Sequence, residues 1–154
     1  MWDLAMRLWQ AGNYEEAKKQ LMHIIEQVPD DAQAYYRIGC CDDKLGQPSV
    51  AIPFYEKALS LGFDEVGVYI GLGRCYRAIG RHEEARCILE KGRERFPEYH
   101  ALPPFLALVY YDLKLYAEAT ALLVHAYVAA SNDQDVQLYS RAMLADVAKV
   151  MQKE

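Results

Sequence analysis

VGVYIGLGRCYRAIGRHEEARCILEKGRERFP, residues 66–97, decides the fold. Apolar residues recur every three or four positions on both sides of Gly80, the period of two amphipathic helices separated by a turn. Glycine tolerates positive φ, so Gly80 predicts a left-handed end to the first helix, and Glu83 and Glu84 suit the positive dipole end of the second. Pro97 closes that second helix, because proline has no amide donor and disfavours α geometry in the residue before it.

The same pattern extends in both directions with a period of 34 residues. Ala17, Ala51, Ala85 and Ala119 form one small-residue column, and Ala5, Gly39, Gly73 and Ala107 form another. Small side chains in register let antiparallel helices approach to roughly 8–10 Å. Gly12, Gly46 and Gly80 mark the turns, with Lys114 in the fourth place. Leu21, Tyr55, Leu89 and Leu123 form a further column, and Pro29 and Pro97 end their helices. The register predicts repeats at about 1–31, 32–65, 66–99 and 100–133, followed by a capping helix over 134–152, all in one domain. Pro103-Pro104 predicts a late start for the first helix of the fourth repeat, and Pro53 predicts a bend in the second helix of the second. Ser131-Asn132-Asp133 supplies capping residues for the last helix, whose apolar stripe is Val136, Tyr139, Met143, Val147 and Val150.

Residues 66–97 resemble the tetratricopeptide repeat, with Tyr69, Leu72, Gly73, Tyr76, Gly80, Ala85, Leu89, Gly92 and Pro97 on its signature positions. The first repeat is shortened in this pattern and reads as an N-terminal cap. A narrower resemblance, over residues 62–127, is to the small bacterial tetratricopeptide repeat group 5 proteins. The resemblance implies an all-α, right-handed superhelical solenoid of antiparallel helix pairs and a protein–protein interaction module. It also implies a peptide-binding groove lined by the first helices: Tyr36, Arg37, Cys40 and Asp43 from the second repeat, and Ile70, Arg74 and Arg77 from the third. The fourth contributes Phe105, Leu108, Tyr111 and Asp112, and the first offers Asp3, Met6 and Trp9. The lysine and asparagine clamp by which chaperone-adaptor members hold a C-terminal carboxylate is replaced here by Trp2, Met6, Arg37 and Cys40, so binding of that kind is not expected.

Composition narrows the function. Hydrophobic residues make up 53% and charged residues 25%, which excludes a disordered or collagen-like chain. No apolar run approaches the roughly 18–20 residues of a membrane span, and the opening MWDLAMRLWQ lacks the basic start and cleavage site of a signal peptide. Cys40, Cys41, Cys75 and Cys87 form no C-x-x-C pair, which points to a reduced, cytoplasmic setting. A net charge of −5 disfavours nucleic acid and anionic membrane as partners. His23, His82, His100 and His125 lie in different repeats, and no nucleophile, phosphate-loop or metal-ligand motif occurs, so neither catalysis nor a metal or cofactor is expected.

Residues 66–99 carry seven basic and five acidic residues, the one net-positive repeat. Arg74, Arg77 and Arg81 therefore suggest an acidic protein or peptide partner, since guanidinium forks suit carboxylates. Pairing of these arginines with Asp43 or Asp112 is the competing expectation. Alternative readings are a repeat that binds single-stranded RNA and a self-associating scaffold, including a homodimer through the last helix or the face bearing Trp2 and Trp9.

Overall fold

The computed structural model describes residues 1–153, and among them it contains nine α-helices and no strand. They are α1 (Trp2–Gln10), α2 (Tyr14–Gln27), α3 (Ala32–Lys44), α4 (Pro48–Ser60), α5 (Val66–Ala78), α6 (His82–Arg95), α7 (Leu102–Asp112), α8 (Tyr116–Ala130) and α9 (Gln134–Gln152). The helices group into two compact units, Met1–Arg81 and His82–Glu154.

Each first helix of a repeat ends in the same way. Gly12, Gly46 and Gly80 adopt φ of 79°, 72° and 80°. The amide after each reaches back five positions, as in Gln47 to Asp42 O at 2.9 Å and Arg81 to Tyr76 O at 2.9 Å. This closure satisfies carbonyls that the helix leaves without partners. Lys114 takes the same turn at φ 63°, with Leu115 donating to Tyr110 O at 2.8 Å. The turn is thus set by the repeat even where glycine is missing.

The small columns are core. Ala5, Ala17, Ala51 and Ala85 are fully buried, as is Ala34, and Ala107 and Ala119 are nearly so. In the N-terminal unit, Ala5, Ala17, Leu21, Ile24, Ala34, Ile38 and Cys41 form one cluster, flanked by the half-buried Trp2, Met6 and Trp9. The Tyr55 ring lies between two glycines: a Cβ added at Gly39 would fall 2.8 Å from it, and one at Gly71 would fall 2.7 Å from it. That space is why the α3 and α5 backbones can approach α4.

Capping is selective. Asp31 accepts from the Ala34 amide at 3.0 Å to start α3, and Asp133 accepts from Asp135 and Val136 at 2.9 and 3.1 Å to start α9. α7 begins at Leu102 with proline in its first turn, the late start that Pro103-Pro104 implies. α4 runs continuously through Pro53.

In the C-terminal unit α9 packs on α8. Gln137 ties the two together, donating from Nε2 to Val128 O at 3.1 Å and Ser131 O at 2.9 Å. Of the apolar stripe expected on α9, Val147 is buried, Val136 and Met143 are half-buried, and Tyr139 and Val150 are exposed. Leu123 departs from its column. Leu21, Tyr55 and Leu89 are buried, whereas Leu123 is 46% exposed. Its counterpart Tyr55 is enclosed by α3 and by α5 of the following repeat; α9 leaves half of Leu123 uncovered.

Candidate functional site

The candidate residues lie on the outward stripes of the first helices. On α5 the buried positions are Val68, Tyr69, Gly71, Leu72, Gly73, Cys75 and Tyr76. The remaining face presents Ile70, Arg74 and Arg77 at helical spacing. On α7, Leu102, Leu106, Ala107, Val109 and Tyr110 are buried, leaving Phe105, Leu108, Tyr111 and Asp112 on the other face. α3 presents Tyr36, Arg37, Cys40 and Asp43 in the same manner.

Within the N-terminal unit these side chains interact. Arg74 Nη1 donates to Asp43 Oδ2 at 2.7 Å, so this arginine has the carboxylate partner that the sequence offered as the competing expectation. Half-exposed ion pairs of this kind are screened by water and hold little stability. The Arg37 guanidinium lies 5.8 Å from the centre of the Tyr36 ring, and its buried Nε has no hydrogen-bond partner. Tyr36 is less available than its position on the stripe implies. Its ring stacks on Phe63 at 4.6 Å, its hydroxyl fills the space that Gly67 leaves open, and burial raises its phenol above the ordinary range. Burial likewise pushes the half-buried Cys40 thiol up, while hydrogen bonds with Tyr55 and Tyr36 pull it back in part. A raised thiol is a poor nucleophile at neutral pH.

The C-terminal unit presents a more open face. Leu108 is 45% exposed and Tyr111 is 61% exposed. Tyr111 meets Tyr116 edge-on with ring centres 5.4 Å apart, which fixes one side of the ring and leaves the other to solvent. Phe105 is half-buried, and Asp112 Oδ2 lies 3.6 Å from His82 Nδ1. Met6 and Trp9 of the first repeat pack against the core, with Trp9 set edge-on to Tyr14 at 4.9 Å. Asp3 is exposed.

A set of polar contacts beneath these faces was not anticipated. Tyr110 Oη donates to Glu90 Oε1 at 2.7 Å, and Arg86 Nε donates to the same oxygen at 3.0 Å. Tyr76 Oη donates to Glu56 at the equivalent place one repeat earlier. At the first junction Lys18 Nζ reaches Asp42 Oδ1 at 2.6 Å instead. The signal was present as two further columns, Asp42, Tyr76 and Tyr110 against Met22, Glu56 and Glu90.

A family model described as Tetratrico peptide repeat matches residues 32–150. The chain belongs to the tetratricopeptide repeat family. The match extends well beyond the 62–127 segment of the narrower resemblance. A curated relative, the probable biofilm formation methyltransferase WspC of Pseudomonas putida, is 33% identical over 92 residues. That match covers 57% of this chain, and the chain spans 22% of the relative's length. Among solved structures, MamA of Desulfovibrio magneticus RS-1 has a TM-score of 0.79 at 18% identity, covering 98% of this chain and 89% of that one. YrrB, described as a tetratricopeptide protein with an unusual peptide-binding site, has a TM-score of 0.76 at 20% identity, covering 90% and 71%. The Yersinia enterocolitica type III secretion chaperone SycD, solved with a peptide of the translocator YopD, has a TM-score of 0.65 at 23% identity, covering 73% and 90%. At these identities the likeness shows the fold, an all-α helical-repeat solenoid. No helix among the described residues is long and apolar enough to cross a membrane, and no group of three or more His, Cys, Asp or Glu side chains among them could hold a metal ion.

Proposed function

We propose that this tetratricopeptide protein is a non-catalytic interaction module that binds a peptide or protein segment on the outward faces of its first helices. The observation that carries this reading is the exposure of Leu108 and Tyr111 on one stripe of α7, 45% and 61% respectively. An exposed tyrosine offers large contact area at low entropic cost and is a common anchor of a bound segment, and Leu108 beside it extends the apolar surface. Peptide binding in the descriptions of YrrB and SycD supports the same reading. In the N-terminal unit the stripes carry Arg37, Arg74 and Arg77 against Asp43, which favours a segment with Asp, Glu or a free carboxylate. Four free cysteines fit a reducing, cytoplasmic setting.

Selection of random peptides against the immobilised chain tests the reading. Enrichment of a consensus that combines a large apolar residue with an acidic one is expected. Recovery of sequences no different from the starting library would overturn it.

A further inference from the structure

The first junction between repeats differs from the two that follow. Where Tyr76 and Tyr110 send a phenol ring to Glu56 and Glu90, the corresponding places hold Asp42 and Met22. Aspartate is too short to fill the volume of a tyrosine, and methionine offers it no hydrogen bond. Lys18 on α2 supplies one partner, its Nζ 2.6 Å from Asp42 Oδ1. Asp42 is nonetheless fully buried, and its Oδ2 has no hydrogen-bond partner. A buried carboxylate oxygen without a donor is costly, so Asp42 Oδ2 calls for a partner.

A cavity of about 420 Å³ lies here, lined by Asp42, Lys18, Met22, Leu45 and Glu15 among others. Its volume is in the range of small-ligand sites. Met22 and Leu45 give it apolar wall, while Asp42 and Glu15 give it negative charge. The other charged groups on the lining are balanced locally: Lys19 pairs with Glu16 at 2.7 Å, and His23 lies 3.4 Å from Glu26. Lys18 has somewhere to go if displaced, since its Nζ is already 5.5 Å from the centre of the Phe54 ring, within reach of a cation–π contact.

We propose that this cavity binds an aliphatic guanidinium or ammonium group, the chemistry of an arginine or lysine side chain. The head takes the place of Lys18, which turns to Phe54, and donates to Asp42; Glu15 supplies the second charge, and the methylene stem lies on Met22 and Leu45. Guanidinium is preferred over ammonium because its planar fork reaches two acceptors at once. The site is on α2 and α3, apart from the outward stripes, and stands or falls independently of peptide binding there.

The test is an amide NMR titration of the full chain with butylguanidinium, butylammonium, butanol and butyrate, and with the blocked peptide acetyl-Gly-Arg-Gly-amide. Saturable shifts confined to residues 15–23 and 42–47 are expected with the cations alone. Tighter binding of the peptide identifies a partner's side chain as the source, and equal or tighter binding of butylguanidinium identifies a free small guanidinium compound; either supports the site. Asp42→Asn should weaken binding about ten-fold. The double variant Met22→Glu/Asp42→Tyr installs the tyrosine–glutamate pair found at the next two junctions, so it has a folded template, and it should abolish binding by filling the cavity. Equal response to butyrate or butanol, shifts that never saturate, or undiminished binding in the double variant would overturn the proposal. The probe series on the unaltered chain decides the matter even if Asp42→Asn fails to fold.

Discussion

Tyr110 on α7 donates to Glu90 on α6 at 2.7 Å, and one repeat earlier Tyr76 on α5 makes the same bond to Glu56 on α4. Each pair joins the second helix of one repeat to the first helix of the next. Apolar packing between helices is non-directional; a phenol that must meet one carboxylate selects a single register.

Tyr110→Phe removes this donor and leaves Glu90 with Arg86 alone. A net loss of about 1 kcal/mol is expected for one hydrogen bond, moderated because Glu90 stays partly hydrated. Thermal unfolding followed by circular dichroism should show Tm lower by roughly 2–4 °C. An unchanged Tm would mean that the pair only decorates the junction.

Gly71→Ala should be more damaging. The added Cβ would stand 2.7 Å from Cζ of Tyr55, a ring that is itself buried and has nowhere to retreat. Overpacking of this kind costs roughly 1–3 kcal/mol, so a fall in Tm of about 3–10 °C is expected in the same assay. The exposed turn glycines have nothing within 4 Å of an added Cβ. Substitution there is penalised only through backbone conformation.

Lys114→Gly should stabilise the chain. Lys114 holds φ 63°, a conformation that costs an ordinary residue roughly 1–2 kcal/mol, while glycine's extra freedom in the unfolded chain offsets part of the gain. A net rise in Tm of about 1–4 °C is expected. A fall would mean that the lysine side chain contributes something its exposed position does not suggest.

Burial lifts the Cys41 and Cys75 thiols from their ordinary 9.0 to about 12, and lifts the Tyr110 phenol from 10.0 to about 12. The native state therefore holds protons that the unfolded chain releases. Stability is full below about pH 9 and falls as pH rises towards 12. Urea midpoints measured from pH 8 to 11 should decline from about pH 9, and in Cys40→Ala/Cys41→Ala/Cys75→Ala the decline should begin nearer pH 10, where phenols take over. In the native protein the exposed Cys87 should react promptly with a thiol reagent, whereas Cys41 and Cys75 should react only on unfolding.

Much of the fold was legible because it depends on local rules repeated in register. A glycine column marks positive φ, alanine columns mark close helix crossings, and proline marks helix ends; each requires only neighbours along the chain. The outward stripes were legible for the same reason, since period alone separates Ile70, Arg74 and Arg77 from the buried face of α5. What period cannot give is the partner of a side chain on another helix. The Tyr76–Glu56 pair spans two repeats, and the sequence offered Asp43 and Asp112 alike for the arginines without choosing Asp43 for Arg74. Tyr36 sits on an outward stripe yet is held inward by Phe63, a residue in the connection after α4. Leu123 follows its column in sequence but not in burial, because α9 leaves uncovered the side of it that a following first helix covers at Tyr55.

The central claim is that the first-helix stripes bind a segment of another protein. Isothermal titration of the best selected peptide against four proteins tests it most directly: the unaltered chain, Arg74→Glu/Arg77→Glu, Tyr111→Ala, and the control Tyr127→Ala on α8. Affinity reduced about ten-fold or more by at least one stripe variant, Arg74→Glu/Arg77→Glu or Tyr111→Ala, and unchanged by the control is the expected result. Equal affinity across all four, or a loss confined to Tyr127→Ala, would contradict it.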